Sequence, residues 1–389
     1  MQKVPSSILI KNCRLYNQLQ SSEVFNIETA GGKIKKISKH KILPNKNSIV
    51  LDARGKILCP GFIDVHIQGA GGSDVLDATY DALNQISKTC ASFGVTGFLA
   101  TTVYKINRSN KHLDIAAQNT NQTLEGANLL GIHLEGPFIS LKKKGMISPL
   151  CICEVSGKVC KDIKLKTKNT LKIMTIAPEL AGAIPIIKKL SRDKTVVSFG
   201  HSSASYEETI LGIRGGITHA THFFNAMPSL HHREPGPVLA ILRDKKITVQ
   251  VIPDGVHLHK DILKFVFDII GPQRWVSITD GMQAMGLPEG KYVYNGIEYT
   301  SKNGTARYKD GTLIGTSLGL NVLLKKMIEF TGCSFLEAIK TATENPARVL
   351  GIGNRKGTIA AGMDADLAII DKNFSVFYTI VNGKVVFKS

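Results

Sequence analysis

Eight times between residues 61 and 281, a short run rich in Val, Ile and Phe ends in polar or glycine-rich residues: "GFIDVHI", "TGFLATTV", "LLGIHLEG", "LKIMTIAP", "TVVSFGH", "GITHATHF", "ITVQVIPDG" and "WVSITDG". Segments with helical periodicity lie between these runs, among them "YDALNQISKTCASFG", "GAIPIIKKLSRD", "SYEETILGIRGG" and "KDILKFVFDIIG". Short apolar strands alternating with helices indicate a parallel sheet covered by helices. Eight repeats are what a (β/α)8 barrel requires, and in that fold chemistry gathers at the C-terminal ends of the strands. A doubly wound sheet draws on the same alternation. However, His66 and Gln68, Glu135, His201, His222, His257 and Asp280 end six different runs. Polar groups spread around the sheet in this way suit a closed ring.

The two ends of the chain read differently. Residues 1–58 and 358–389 alternate strand-like pieces with turns, and Asn382-Gly383 between strand formers signals a hairpin. The expected fold is therefore α/β, with a (β/α)8 barrel over residues 59–357 and a small β-sandwich formed from both termini.

Hydrophobic residues make up 43% and charged residues 21% of the 389 residues, as in an ordinary globular chain. No run reaches the ~18 to 20 apolar residues needed to span a bilayer. The apolar patch after Ser7 is too short for a signal peptide, so a cytoplasmic location is expected. Seven cysteines point to free thiols, and Cys151, Cys153 and Cys160 lack the paired CxxC of a metal knuckle. The net charge of +18 suits an anionic partner, a phosphate ester or a nucleic acid. The lysine runs "LKKKG" and "KDIKLKTKNTLK" lack interleaved aromatics and read as solvated surface.

Glu135, His201 and His222 together form a ligand list suited to a Zn or Fe site with an open position, although each histidine alone has a structural reading. Asp280 is either a helix N-cap or, beside a water activated by such a metal, a general base. His257 could polarise a substrate carbonyl, or lie at the surface near His259. In "FFNAMPSLHHREPG", a turn with free N–H groups and Arg233 could hold a phosphate. Alternatively, Arg233 pairs with Glu234. A basic scaffold or nucleic-acid-binding protein is the non-enzyme alternative, and salt-dependent nucleic-acid affinity would mark it.

Taken in order, "PGFIDVHIQG", "GVTGFLATTV", "HLEGPF", "GHSSA", "THFFNAMP", "REPG", "DGVHL", "ITDGM" and "ATENPARVLGIGNRKGTIAAGMDADLAIID" resemble the N-acetylglucosamine-6-phosphate deacetylases of the amidohydrolase superfamily. The resemblance implies a metal-dependent hydrolase acting on a phosphorylated N-acetyl amino sugar, with Glu135, His201 and His222 as metal ligands and Asp280 as general base and acid. It implies further that His257 contacts the acetyl carbonyl and that Asn225, the Ala226 N–H and Arg233 bind the sugar phosphate. Arg233 would be donated across a homodimer interface, and a loop from Ile314 through Gly315 to Thr316 would close over the sugar. The same chemistry on N-acetylgalactosamine 6-phosphate, or on another amide, is the nearest alternative. The chain departs from the family in "KKKGMIS", where Met146 and Ile147 replace a small and a polar residue at the sugar pocket. It also has Gln68 where two-metal members carry a second histidine after His66. The expectation is thus one tightly held divalent metal per chain, with His66 as a polar wall or weak second ligand.

Overall fold

The computed structural model describes residues 7–122 and 124–389, so residues 1–6 of the expected N-terminal β-module lie outside the described residues. All eight expected runs form parallel strands, at Phe62–Ile67, Val95–Thr102, Asn128–Glu135, Leu171–Ile176, Val196–Phe199, Ile217–Ala220, Thr248–Val251 and Trp275–Ser277. Each pairs with its neighbour in chain order. The ring closes through a parallel bridge from Ile67 to Gly281, with Asp280 N–H donating to His66 O at 3.0 Å and Gln68 N–H to Gly281 O at 2.9 Å. Asp64 adds a side-chain stitch across the seam. Its buried carboxylate accepts from His66 N, Thr279 N and, at 2.5 Å, Thr279 Oγ1. Burial pushes this carboxyl up to about 6, against the hydrogen bonds that favour its charged form.

The four expected helices are present, at Tyr80–Ser92, Ala183–Arg192, Tyr206–Gly215 and Lys260–Arg274. Local sequence sets their starts. Thr79 caps the first through Ala82 N, and Ser205 forms a reciprocal capping box with Glu208 in the third. Their inner faces bury one large apolar layer against the strands, including Phe62, Phe98, Phe199 and Trp275. Among the described residues, no helix is long and apolar enough to cross a membrane.

The two ends of the chain come together in one sheet of eight strands. Strand Ser7–Leu15 pairs with Phe25–Ala30, with Ser48–Asp52 and, through its last two residues, with Ile57–Pro60, which in turn pairs with Leu367–Ile370. Residues from both ends, among them Ile8, Ile27, Ile34, Leu367 and Ile380, share a single apolar core. The hairpin at Asn382-Gly383 forms as its sequence demands, with φ 49° and 71° and Val381 paired to Lys384.

One element was not expected. Between the eighth barrel strand and helix Leu320–Thr331, residues 290–316 form a four-stranded antiparallel sheet. Its inner face, with Tyr294, Tyr299, Ala306 and Ile314, packs on Met282 and Ala284 and meets Met146 beside the barrel mouth.

Candidate active site

The mouth of the barrel holds a cavity of about 270 Å³ lined by Glu135, Met146, His201, His222, His257, Asp280 and neighbouring loop residues. The strand ends aim these side chains inward. Glu135 is the last residue of the third strand, His201 and His222 lie two residues past the fifth and sixth, and Asp280 three past the eighth. His201, His222 and Asp280 adopt positive φ, at 49°, 26° and 49°. Residues with a Cβ seldom occupy that region, and such strain collects where function holds it.

Glu135 Oε1 lies 3.0 Å from His201 Nε2 and 3.0 Å from His222 Nε2, and the two nitrogens are 3.0 Å apart. Among the described residues, this trio is the one group of three or more side chains arranged to hold a metal. His201 Nδ1–H donates to the Lys143 carbonyl at 2.7 Å, leaving the Nε2 lone pair free for the shared point. Two imidazole lone pairs and a carboxylate oxygen facing one another are compensated best by a cation, and a divalent Zn- or Fe-type ion fits this donor set. Burial raises the Glu135 carboxyl, but the imidazoles of His201, His66 and His222 that face it outweigh burial and hold the group well below the usual carboxylate range, the side on which a metal ligand must lie. Burial pulls His222 down, in keeping with a neutral ligand.

Asp280 is also buried. Burial alone would raise its carboxyl, yet the charge and hydrogen bond of His66 hold it below its ordinary value. Its Oδ1 lies 3.0 Å from Gln68 Nε2 and 3.2 Å from His66 Nε2, and its Oδ2 is 3.9 Å from His257 Nε2. The N-cap alternative fails because strand pairing and the 290–316 sheet, not a helix, follow Asp280. His257 is fixed from behind, since its Nδ1–H donates to Asp254 Oδ2 at 2.7 Å while Asp254 Oδ1 accepts from the His257 and Val256 amides. Asp254 is a site residue that sequence reasoning passed over, although "DGVHL" contains it.

His66 and Gln68 are fully buried at the base of the cavity and belong to the same polar network. His66 Nε2 is 3.7 Å from Glu135 Oε1 and 3.1 Å from Gln68 Nε2. Burial opposes a second proton on His66, whereas Asp280 and Glu135 favour it and push the imidazole up to about 9. The Gln68 amide N–H2 pointing at Nε2 argues the other way, for a ring that accepts there. A cation held by Glu135 would also offset the field that favours protonation.

Asn225 and Ala226 line the cavity, with Ala226 at φ 53° and Asn225 Nδ2 donating to His222 O at 3.2 Å. Arg233 does not line it. The residue is exposed on the 229–235 loop, with Nη1 2.8 Å from His232 Nε2 and no ion pair to Glu234. Ile314 lines the wall, but the expected closing loop is a strand, Leu313–Thr316, locked to the barrel by Thr316 N–H donating to Asp280 O at 2.9 Å. A Cβ on Gly315 would stand 2.4 Å from Asp280 O, so only glycine permits this approach. Met146 lines the cavity, whereas Ile147 turns away into a cluster with Val103, Ile139 and Cys151. Lys142 and Lys143, read from sequence as solvated surface, line the cavity and make its rim basic.

The amidohydrolase family model matches residues 57–386 of the chain. An N-acetylglucosamine-6-phosphate deacetylase of Bacillus subtilis is 34% identical over 98% of both chains. An N-acetylgalactosamine-6-phosphate deacetylase of Escherichia coli is 33% identical over 86% of this chain and 89% of the other. The crystal structure of the Thermotoga maritima N-acetylglucosamine-6-phosphate deacetylase superposes with a TM-score of 0.84 at 33% identity, covering 98% of this chain and 100% of that one.

Proposed function

Because the chain belongs to the amidohydrolase family, we propose that it removes acetyl from N-acetylglucosamine 6-phosphate, giving glucosamine 6-phosphate and acetate. One observation carries this reading. The Glu135, His201 and His222 trio converges beside Asp280 and His257 in a chain similar to such a deacetylase along 98% of its length. These three side chains would hold one divalent ion, zinc or iron. Such an ion, when bound, polarises the acyl oxygen and brings the pKa of water toward ~7.

The remaining steps fall to the chain's own residues. Asp280, an acceptor carboxylate at the cavity wall, takes the proton of the water that attacks the amide carbon. As the C–N bond breaks, it returns that proton to the leaving amine. His257, held by Asp254, lies on the same wall and contacts the acyl oxygen where negative charge develops. Asn225, the Ala226 N–H and the basic rim at Lys142 and Lys143 suit the anionic end of the substrate. Arg233 is exposed and does not line its own cavity, which supports its service to a second subunit in a homodimer. Exposed Leu230 and Val256, 46% and 45% accessible, lie on neighbouring loops and would be covered by such a partner.

A second reading, the galacto epimer, is favoured by the E. coli relative that is 33% identical. Acetate release from N-acetylglucosamine 6-phosphate, N-acetylgalactosamine 6-phosphate and unphosphorylated N-acetylglucosamine decides between them. The expected result is fastest release from the first. Release confined to the galacto compound moves the assignment to the second reading, and no release from any of the three removes both.

A further inference from the structure

Among the described residues that line the catalytic cavity, Met146, Leu313 and Ile314 carry the large apolar side chains, and the other long side chains are all polar or charged. Met146 packs on the cluster that contains Ile314, Met282 and Tyr294, so the apolar residues form one wall. That wall begins beside the reacting carbon. Asp280, placed above at the attacking water, accepts at its backbone oxygen from Thr316 N–H of the Leu313–Thr316 strand at 2.9 Å. The anionic end of the substrate is assigned elsewhere, to Asn225 and Ala226, which follow the sixth barrel strand. On the proposed substrate, the acetyl methyl is the apolar group attached to the carbon that water attacks. It therefore belongs against this wall, where its burial is favourable.

Behind Met146 lies a second cavity, of about 370 Å³, between the 144–149 loop and the 290–316 sheet. Gly145 and Met146 are the two residues that line both cavities. Ile147, Pro149, Ile297 and Tyr308 give the second space an apolar side, while its Glu298, Lys309 and Asp310 are exposed to solvent. The backbone of this partition is held on both flanks. Before it, the Lys143 carbonyl lies 2.7 Å from His201 Nδ1, and after it the Ile147 side chain is buried with Val103, Ile139 and Cys151. What remains free to turn is the Met146 side chain, half-buried and unbranched, with three rotatable bonds.

We propose that Met146 fixes the length of the acyl group that this site accepts. Its side chain closes the catalytic cavity against the acetyl methyl, and shortening it opens the space behind to propanoyl and butanoyl chains. This inference rests on the deacetylase reading above and adds to it a residue that selects among amides of one sugar phosphate. The chemistry is the same along the series. Water adds to the acyl carbon, the C–N bond breaks, and a proton of that water passes to the amine, leaving a carboxylate and glucosamine 6-phosphate.

The zinc-loaded protein and its Met146→Ala variant, compared on N-acetyl-, N-propanoyl- and N-butanoylglucosamine 6-phosphate, test this, with the amine common to all three as the readout. The wild-type protein should favour acetyl over propanoyl in kcat/KM by roughly 10- to 200-fold, the range that one methylene commands in an apolar pocket. Met146→Ala should raise kcat/KM for the propanoyl and butanoyl compounds by at least ~10-fold, while the value for the acetyl compound falls because its methyl loses a contact. A merely structural defect would lower all three together. Met146→Leu, of similar volume, should keep the wild-type order. Equal wild-type rates on the three compounds overturn the inference, and so does a folded Met146→Ala protein with the wild-type ratios. Should the alanine variant not fold, Met146→Val carries the same comparison. If neither protein releases amine from any of the three, the proposed function fails and this inference with it, whereas acetyl release with unchanged ratios overturns this inference alone.

Discussion

In the terminal sheet, Ile8, Ile10, Phe25, Ile27, Ile34 and Leu367 close a core whose other members are also apolar. At the barrel mouth, Glu135, His201, His222 and Asp280 are buried around one cavity, with buried His66 and Asp254 in contact with Asp280 and His257. The backbone differs in the same sense. The sheet places most of its positive φ values on glycines and asparagines, such as Gly31, Gly32, Gly55 and Asn382-Gly383, with Arg54 and Phe374 as exceptions in its connecting turns. The mouth forces them on two histidines and an aspartate. Local preference and burial agree in the sheet, so its geometry stabilises the fold. At the mouth they conflict, and the surrounding ring of strands must hold what the local sequence disfavours. Damage to the mouth should therefore appear in rate, and damage to the sheet in stability.

Asp280→Asn should show the largest effect. The loss of proton transfer should lower kcat by at least ~100-fold, while metal content and thermal unfolding stay near wild type. Turnover close to native would remove Asp280 from the chemistry. Ile27→Ala, in the terminal core, should do the reverse. A fully buried isoleucine cut to alanine costs about 2–5 kcal/mol, read by denaturant unfolding, and the kcat of the folded fraction should not change. A fall in kcat without a fall in stability would break the division between the two regions.

Arg233→Ala should raise KM for the phosphorylated sugar by roughly 10- to 100-fold, as expected when a charged hydrogen bond of about 1.5–3 kcal/mol is lost. The unphosphorylated sugar should be little affected. Because Arg233 is exposed and does not line its own cavity, mixed dimers of Arg233→Ala and Asp280→Asn subunits should regain part of the activity. Equal losses on both sugars, or no recovery in verified mixed dimers, would make the residue structural. The smallest effect belongs to Lys39→Met, which removes an exposed ion pair with Glu23 beside the terminal sheet. It should move stability by less than ~1 kcal/mol and leave kinetics alone. A larger shift would mean that the surface charges of this sheet support its fold.

The barrel strands were legible because their apolar runs stand out from the helical periods between them, and six of the eight runs end in polar residues gathered at the barrel mouth. The 290–316 sheet was not anticipated, although Asn295-Gly296 and Asn303-Gly304 sit between strand formers and form tight turns with φ 47°, 82° and 51°, 76°. Its strand Ile297–Lys302 exposes four of six side chains, so no apolar run announces it. The basic rim was misread for a related reason. Lys142 and Lys143 have the composition of a solvated loop, and only the fold of that loop over His201 brings them to the cavity.

The claim on which the rest depends is that one metal, held by Glu135, His201 and His222, is required for amide hydrolysis. Acetate release from N-acetylglucosamine 6-phosphate, followed while zinc or iron is titrated into chelator-stripped protein, tests it most directly. The account predicts no release from the stripped protein, with activity rising linearly and levelling at one equivalent per chain. Activity that survives stripping, or that keeps rising until two equivalents are bound, would contradict it.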